Sequence, residues 1–278
     1  MAKNNKRDSL GDRMKTYEDV TRTHLTRRTP VIIRLDGCHF HTFTRGMDKP
    51  YDEILCKSMQ DTMKYLCENI QNCVLGYTQS DEITLVLCDY KKINTAAWFD
   101  NNVRKMCSVS ASLATLAFNR KFAENVQEAL YDCCLDPLND NFGDEVLLDR
   151  QDDYNRCVKY ANTKINRATF DSRVFNIPVE EVCNCLIWRQ QDAVRNSIQG
   201  LGQKYFSHRQ LEGKSCSQVQ DMLMLEKGVD WNNVPTKFKR GSCCVKTDDG
   251  WIIDNEIPIF TQDRNYIESR IIFEGDNK

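Results

Sequence analysis

The chain has 278 residues, 41% of them hydrophobic and 28% charged, with a net charge of −2. That length can bury a substantial core in one large domain, or in one domain with an appendage, and the balance excludes a chain that is basic throughout. No apolar run approaches a membrane span and Met1 to Arg13 holds no signal-peptide core, so a cytoplasmic protein without membrane contact is expected.

In chain order, Leu10, Met14, Tyr17 and Val20 recur at helical spacing and predict an opening amphipathic helix. Val31 to Leu35 reads as a strand stopped by Asp36-Gly37, and a loop runs on through Pro50. Ile54, Leu55, Ser58, Met59, Thr62, Met63, Leu66 and Ile70 share one helical face. Val74 to Tyr77 and Ile83 to Leu87 are short strands, predicted as a hairpin with Ser80-Asp81-Glu82 in a five-residue connection. Val103, Met106, Val109, Leu113, Leu116 and Ala117 predict a second long helix ending near Asn119. The strongly acidic residues 132–153 lie in a stretch that reads as loop-rich. Arg173 to Ile177 is a strand stopped by Pro178, and a helix follows from Val179 through Trp188. The chain reads as mainly helical to about residue 225 and as loops and short strands from Gly228.

The order strand, helix, strand, strand, helix, strand is that of the ferredoxin-like, α+β arrangement. In its antiparallel sheet the first and third strands are neighbours, so the end of one lies beside the start of the other. Asp36 and Asp81 are therefore expected to meet at one sheet edge. Two carboxylates so close repel unless a divalent cation neutralises them, and Mg²⁺ takes one or two carboxylates with water and phosphate oxygens. Gly37 would allow close backbone approach. Lys49, Lys105 and Arg34 are candidates to hold a triphosphate. His39 and His41, flanking Phe40, are open between a metal, a phosphate and no role.

The 14 cysteines contain no Cys-x-x-Cys and no zinc spacing with histidine, and read as reduced small hydrophobes. Walker A, Rossmann and Gly-x-Ser-x-Gly patterns are absent from the sequence. Lys237, Lys239, Arg240 and Lys246 follow one another with no acid between them, a local basic surface suited to RNA phosphates or simply to solvent.

Arg34-Leu35-Asp36-Gly37, Phe40-His41, Lys49-Pro50, Gln79-Ser80-Asp81-Glu82, Lys105 with Ser108, Phe170 to Arg173 and Trp188 to Asp192 resemble, in order, the tRNA(His) guanylyltransferase superfamily. The opening Leu10-Gly11-Asp12-Arg13-Met14-Lys15 fits too, and the likeness covers residues 9 to 225. The resemblance implies a polymerase-palm sheet with packed helices and a smaller, mainly helical C-terminal part. It implies a catalytic region over 1–178 and a tRNA-contacting region over 179–278. It also implies 3′-to-5′ nucleotide addition to tRNA 5′ ends, GTP preferred. ATP or GTP first activates the 5′-phosphate, and the 3′-hydroxyl of the incoming nucleotide then attacks it. Carried over by position, Asp36, Asp81 and the Gly37 carbonyl would hold two Mg²⁺ ions, with Glu82 in support. Asp36, Gly37, Cys38, His39, Phe40, His41, Ser80 and Asp81 would contact nucleotide, and Lys49 and Lys105 its triphosphate. Arg34, Arg189, Asp192, Arg195, Asn196 and Ser197 would contact RNA or a second nucleotide. A homotetramer is implied as well.

The resemblance also has a departure. Enzymes dedicated to histidine tRNA carry His-Ile-Asn-Asn after the aspartate matching Asp192, whereas here Ala193-Val194-Arg195-Asn196-Ser197 follows. That run is similar to the guanylyltransferase-like branch, which implies templated repair of truncated 5′ ends. A dedicated histidine-tRNA enzyme and a palm-type nucleotide cyclase are the competing enzyme readings. A non-catalytic RNA-binding sheet would need exposed aromatics on its inner strands, where only Tyr77 stands.

Overall fold

A computed structural model describes residues 9–134 and 144–273. The first half runs α1 (Ser9–Asp19), β1 (Val31–Gly37), α2 (Phe40–Phe43), α3 (Glu53–Asn69), β2 (Cys73–Gln79), β3 (Glu82–Leu87), α4 (Val103–Cys134), α5 (Asp144–Thr163) and β4 (Phe170–Asn176). It continues through α6 (Val179–Tyr205), α7 (His208–Leu211), α8 (Cys216–Lys227), α9 (Thr236–Arg240), β5 (Ser242–Thr247), β6 (Gly250–Asp254) and α10 (Asn265–Ile271). The six strands form one antiparallel sheet in the order β4-β1-β3-β2-β5-β6. Its first four strands have the expected ferredoxin-like order, and β5 and β6 extend it beyond β2.

Side chains alternate across each strand. Val31, Ile33 and Leu35 pack into a core with Met59, Met63 and Leu66 of α3 and Phe118 and Phe122 of α4. Ile32 faces the other way, into a core with Leu75, Tyr77, Val182 and Leu186 of α6, and Ile267 of α10. The polar residues Arg34 and Asp36 share the face of Ile32, so the strand-end carboxylate opens on the α6 side. Packing within the C-terminal helices is separate, around Ile198, Leu201, Val219 and Leu223.

Several expectations are corrected. The hairpin strands are longer than their apolar runs, and its turn is only Ser80-Asp81, with Ser80 at φ 50° and Glu82 already on β3. Helix α4 passes Asn119 because Phe122 and Val126 continue its buried stripe. Asn119 serves a tertiary contact instead of a stop: its side chain donates to the Ala168 carbonyl (2.8 Å) and accepts from the Ala168 amide (3.1 Å). The acidic segment lies partly outside the described residues, but from Asp144 it is helix α5, not loop. Helix α6 continues well past Trp188, to Tyr205. Helix α1 forms, yet Leu10, Met14, Tyr17 and Val20 are exposed, so its apolar stripe packs on no described element. Tyr77 is buried and its hydroxyl donates to the Arg240 carbonyl (2.6 Å), which takes it away from any base-stacking surface.

Candidate active site

The hydrogen-bonded register brings the two tetrads together. Asp36 lies opposite Glu82 across β1 and β3, and the Gly37 amide donates to the Asp81 carbonyl at 3.1 Å. Burial, and then the Asp36 charge, push the Asp81 carboxyl up from its ordinary value, while its own amide and the Ser80 side chain pull it back. Asp36 and Asp81 are thus electrostatic neighbours in a partly desolvated corner. A divalent cation is the group such a corner fits, because it removes both the repulsion and the desolvation penalty. Among the described residues no set of three His, Cys, Asp or Glu side chains could hold a metal. Two carboxylates with a nearby backbone oxygen would suit Mg²⁺ better than an ion that prefers thiolate or imidazole.

Glu82 is set apart from its neighbours. Its Oε2 accepts from Arg189 Nη1 at 3.1 Å, and both side chains are buried. Burial pushes the Glu82 carboxyl up, opposed by Arg189 and then Arg34. Arg189 Nη2 also pairs with Asp192 at 2.8 Å, and Arg195 pairs with the second Asp192 oxygen. The guanidinium carbon of Arg189 lies 3.9 Å from the Trp188 ring centroid, and that of Arg34 lies 5.5 Å away. Arg189, assigned to RNA by resemblance, is therefore committed inside the protein, where it ties α6 to the strand carrying Glu82. Asp192 and Ser197 are likewise engaged: Ser197 Oγ lies 2.7 Å from the Tyr51 hydroxyl and accepts from Trp231 Nε1 at 3.0 Å. Arg195 and Asn196 remain exposed.

Past β1, His39 adopts a left-handed conformation (φ 56°) and starts the short α2. His39 and His41 are exposed, with ring centroids 6.2 Å apart. Phe40 is buried and packs on Phe43, Phe118 and Phe170, so its ring is taken up by the core. That ring also explains Gly37: a Cβ there would meet Phe40 Cδ2 at 2.2 Å. The Cys38 amide donates to the Thr169 carbonyl (2.8 Å). Lys49 and Lys105 are exposed, and neither is in an ion pair among the described residues.

A cavity of about 160 Å³ opens beside the Ser80 turn, lined among others by Tyr51, Leu55, Gln60, Ser80, Ser197 and Phe238. It is smaller than the ~300–1,000 Å³ of a whole drug-sized ligand site. Tyr51 and Phe238 stack in its wall, centroids 4.7 Å apart and 11° between planes. Neither residue was singled out from sequence, since the pair depends on how the C-terminal part folds back onto α3.

The sheet and its strand-end carboxylates define a palm-type enzyme of nucleotide chemistry. A family model, tRNAHis guanylyltransferase (Thg1), matches residues 11–178. A bacterial Thg1-like protein solved with ATP is 41% identical, covers 95% of this chain and 100% of its own, and superposes with a TM-score of 0.80. A bacterial Thg1-like protein solved with GTP is 36% identical, with the same coverage and a TM-score of 0.71. Among curated proteins, R259 of Acanthamoeba polyphaga mimivirus, itself uncharacterised, is 26% identical over 96% of this chain and 89% of its own length. The chain belongs to the Thg1 family of nucleotidyltransferases. No helix among the described residues is long and apolar enough to cross a membrane.

Proposed function

We propose that this chain is a Mg²⁺-dependent nucleotidyltransferase that adds nucleotides, GTP preferred, to tRNA 5′ ends in the 3′-to-5′ direction. The observation that carries the reading is the convergence of Asp36 and Asp81 at one hairpin end, joined by the Gly37 to Asp81 backbone bond. The family match and the ATP- and GTP-bound relatives support nucleotide and tRNA as substrates.

Asp36, Asp81 and the Gly37 carbonyl would hold the metal, which when bound supplies charge neutralisation at the reacting phosphate. The segment His39 to His41 after Gly37 and the exposed Lys49 and Lys105 would bind and orient the triphosphate of the activating ATP or GTP. The cavity beside Ser80, with both aromatic and polar lining, would take a nucleobase of a substrate and exclude water from its faces. Arg189 pairs with Glu82 and opposes the upward push of burial on its carboxyl, and on this reading Glu82 supports the corner rather than joining the two carboxylates as a ligand. The region from α6 onward, with exposed Arg195 and Asn196, would meet the tRNA.

Repair of truncated 5′ ends is favoured over a dedicated histidine-tRNA activity by one position. Val194, where dedicated enzymes carry histidine, packs against the C-terminal helical core and offers no imidazole. Labelled GTP supplied with 5′-truncated tRNAs and with intact histidine tRNA tests this. Extension of the truncated species is expected, abolished by chelation and restored by Mg²⁺. Addition to the intact histidine species alone refutes the repair reading, and cyclic nucleotide formation without RNA refutes the transferase reading.

A further inference from the structure

Helix α5 begins inside the acidic segment, to which the sequence assigned no role. Its C-terminal half lies against the loop joining α2 to α3. Lys164, just past the helix end, is buried; its amine donates to the carbonyls of Phe43 and Arg45 (2.9 Å to the latter) and sits 5.6 Å from the Phe43 ring centroid. Lys159 donates to the Gly46 carbonyl at 3.3 Å. Tyr160 has no exposed surface: its hydroxyl donates to Asp52 Oδ2 at 2.5 Å and accepts from the Asp48 amide at 3.2 Å. Arg156 pairs with Asp48 at 2.7 Å. These residues recur at helical i, i+3 and i+4 spacing, so one face of α5 presents them together.

What they hold is mainly backbone. The carbonyls of Phe43, Arg45 and Gly46 and the amide of Asp48 are the same whatever side chain stands there, so the contacts fix a path for the chain. A buried ammonium with carbonyl partners and no carboxylate is expensive to keep. Burial, with Lys159, Arg167 and Arg45 nearby, lowers the Lys164 pKa from its ordinary value. A methyl-bearing side chain would fill that space at lower cost but would leave the carbonyls unpaired. The same path carries Lys49 between Asp48 and Pro50. It ends at Pro50, Tyr51 and Asp52 in the wall of the cavity beside Ser80.

We infer that α5 is a strut for nucleotide binding, in which Tyr160 and Lys164 are positioning residues that hold the loop 44–52 at the spacing a nucleoside triphosphate requires. The inference rests on the proposed nucleotide site and adds a role for the segment between α4 and β4. Neither residue touches substrate; both act through the loop backbone and Lys49.

The test compares wild type, Tyr160→Phe, Lys164→Met and Lys164→Arg for GTP binding with Mg²⁺, and for KM and kcat in nucleotide addition to a 5′-truncated tRNA. Circular dichroism verifies folding. Tyr160→Phe and Lys164→Met are expected to raise KM for GTP about tenfold, with kcat and KM for tRNA within about twofold, and Lys164→Arg to restore most of the loss. An unchanged GTP KM in folded Tyr160→Phe, with only a lower melting temperature, overturns the inference and leaves a structural role. If Lys164→Met does not fold, Tyr160→Phe decides. Wild type that binds no GTP overturns the proposed site itself, a different outcome from wild type and variants that bind equally well.

Discussion

At the residue scale, the site rests on which carboxylates are free and which are held. Asp36 and Asp81 are neighbours in a partly buried corner, where burial first and the Asp36 charge second push the Asp81 carboxyl up. Glu82, one residue on, is held by Arg189. On the proposed function, replacing Asp36 or Asp81 with alanine would remove several kcal/mol of charge stabilisation at the reacting phosphate, so nucleotide addition is expected to fall by about 10²–10³-fold or more while the fold persists. Single-turnover rates and a melting curve on each purified variant check this; normal turnover by either would remove it from the metal site. Arg189→Ala should behave differently. It leaves the buried Glu82 without its ion-pair partner and Asp192 with Arg195 alone, and should destabilise the fold by about 3–5 kcal/mol, as breaking a buried pair does. Urea denaturation measures that loss, and a loss within error of zero would show that solvent reaches Glu82. Asp36, Gly37, Asp81 and Glu82 were legible because each tetrad ends or begins an apolar run. The internal role of Arg189 was not, because a motif records that a residue recurs with its neighbours and not whether it faces ligand or core.

At the element scale, the Phe40 ring joins two demands. It closes the core under β1 against Phe43, Phe118 and Phe170, and it occupies the space beside Gly37 that a side chain would need. Gly37→Ala is therefore expected to push the ring and α2 outward, costing about 1–3 kcal/mol as overpacking does and weakening nucleotide binding. Calorimetry alongside a GTP titration checks both effects together. Phe118→Ala, in the same aromatic group, should cost about 3–5 kcal/mol, read from the same calorimetry. Helical periodicity located α3, α4 and α6 but placed two of their ends short. In α4 the buried stripe runs on through Phe122 and Val126 among charged neighbours such as Arg120, Lys121 and Glu124. Dilution by surface charge hid the continuation.

At the scale of the whole molecule, the C-terminal part is built into the sheet: β5 pairs with β2 and brings Phe238 onto Tyr51. The hinge of that return is Gly241, at φ 83°, where a Cβ would lie 2.4 Å from the Thr78 carbonyl oxygen. Gly241→Ala is expected to cost about 1–3 kcal/mol in backbone strain, before any clash is counted, and to open the cavity wall. Acrylamide quenching in a background that keeps Trp231 as its single tryptophan reports the opening, and an unchanged quenching constant with unchanged stability would refute it. Composition and apolar patterning by themselves determined that the chain is an α+β protein with a ferredoxin-like strand order. They also placed an aspartate at the end of one strand and another just before its neighbour, because strand order and the period of two are local properties of the chain. Only the tertiary structure decided that Arg189 is turned inward, that α5 braces the loop 44–52, and that β5 and β6 complete the sheet. Those outcomes depend on contacts between residues far apart in sequence, and no local periodicity records them.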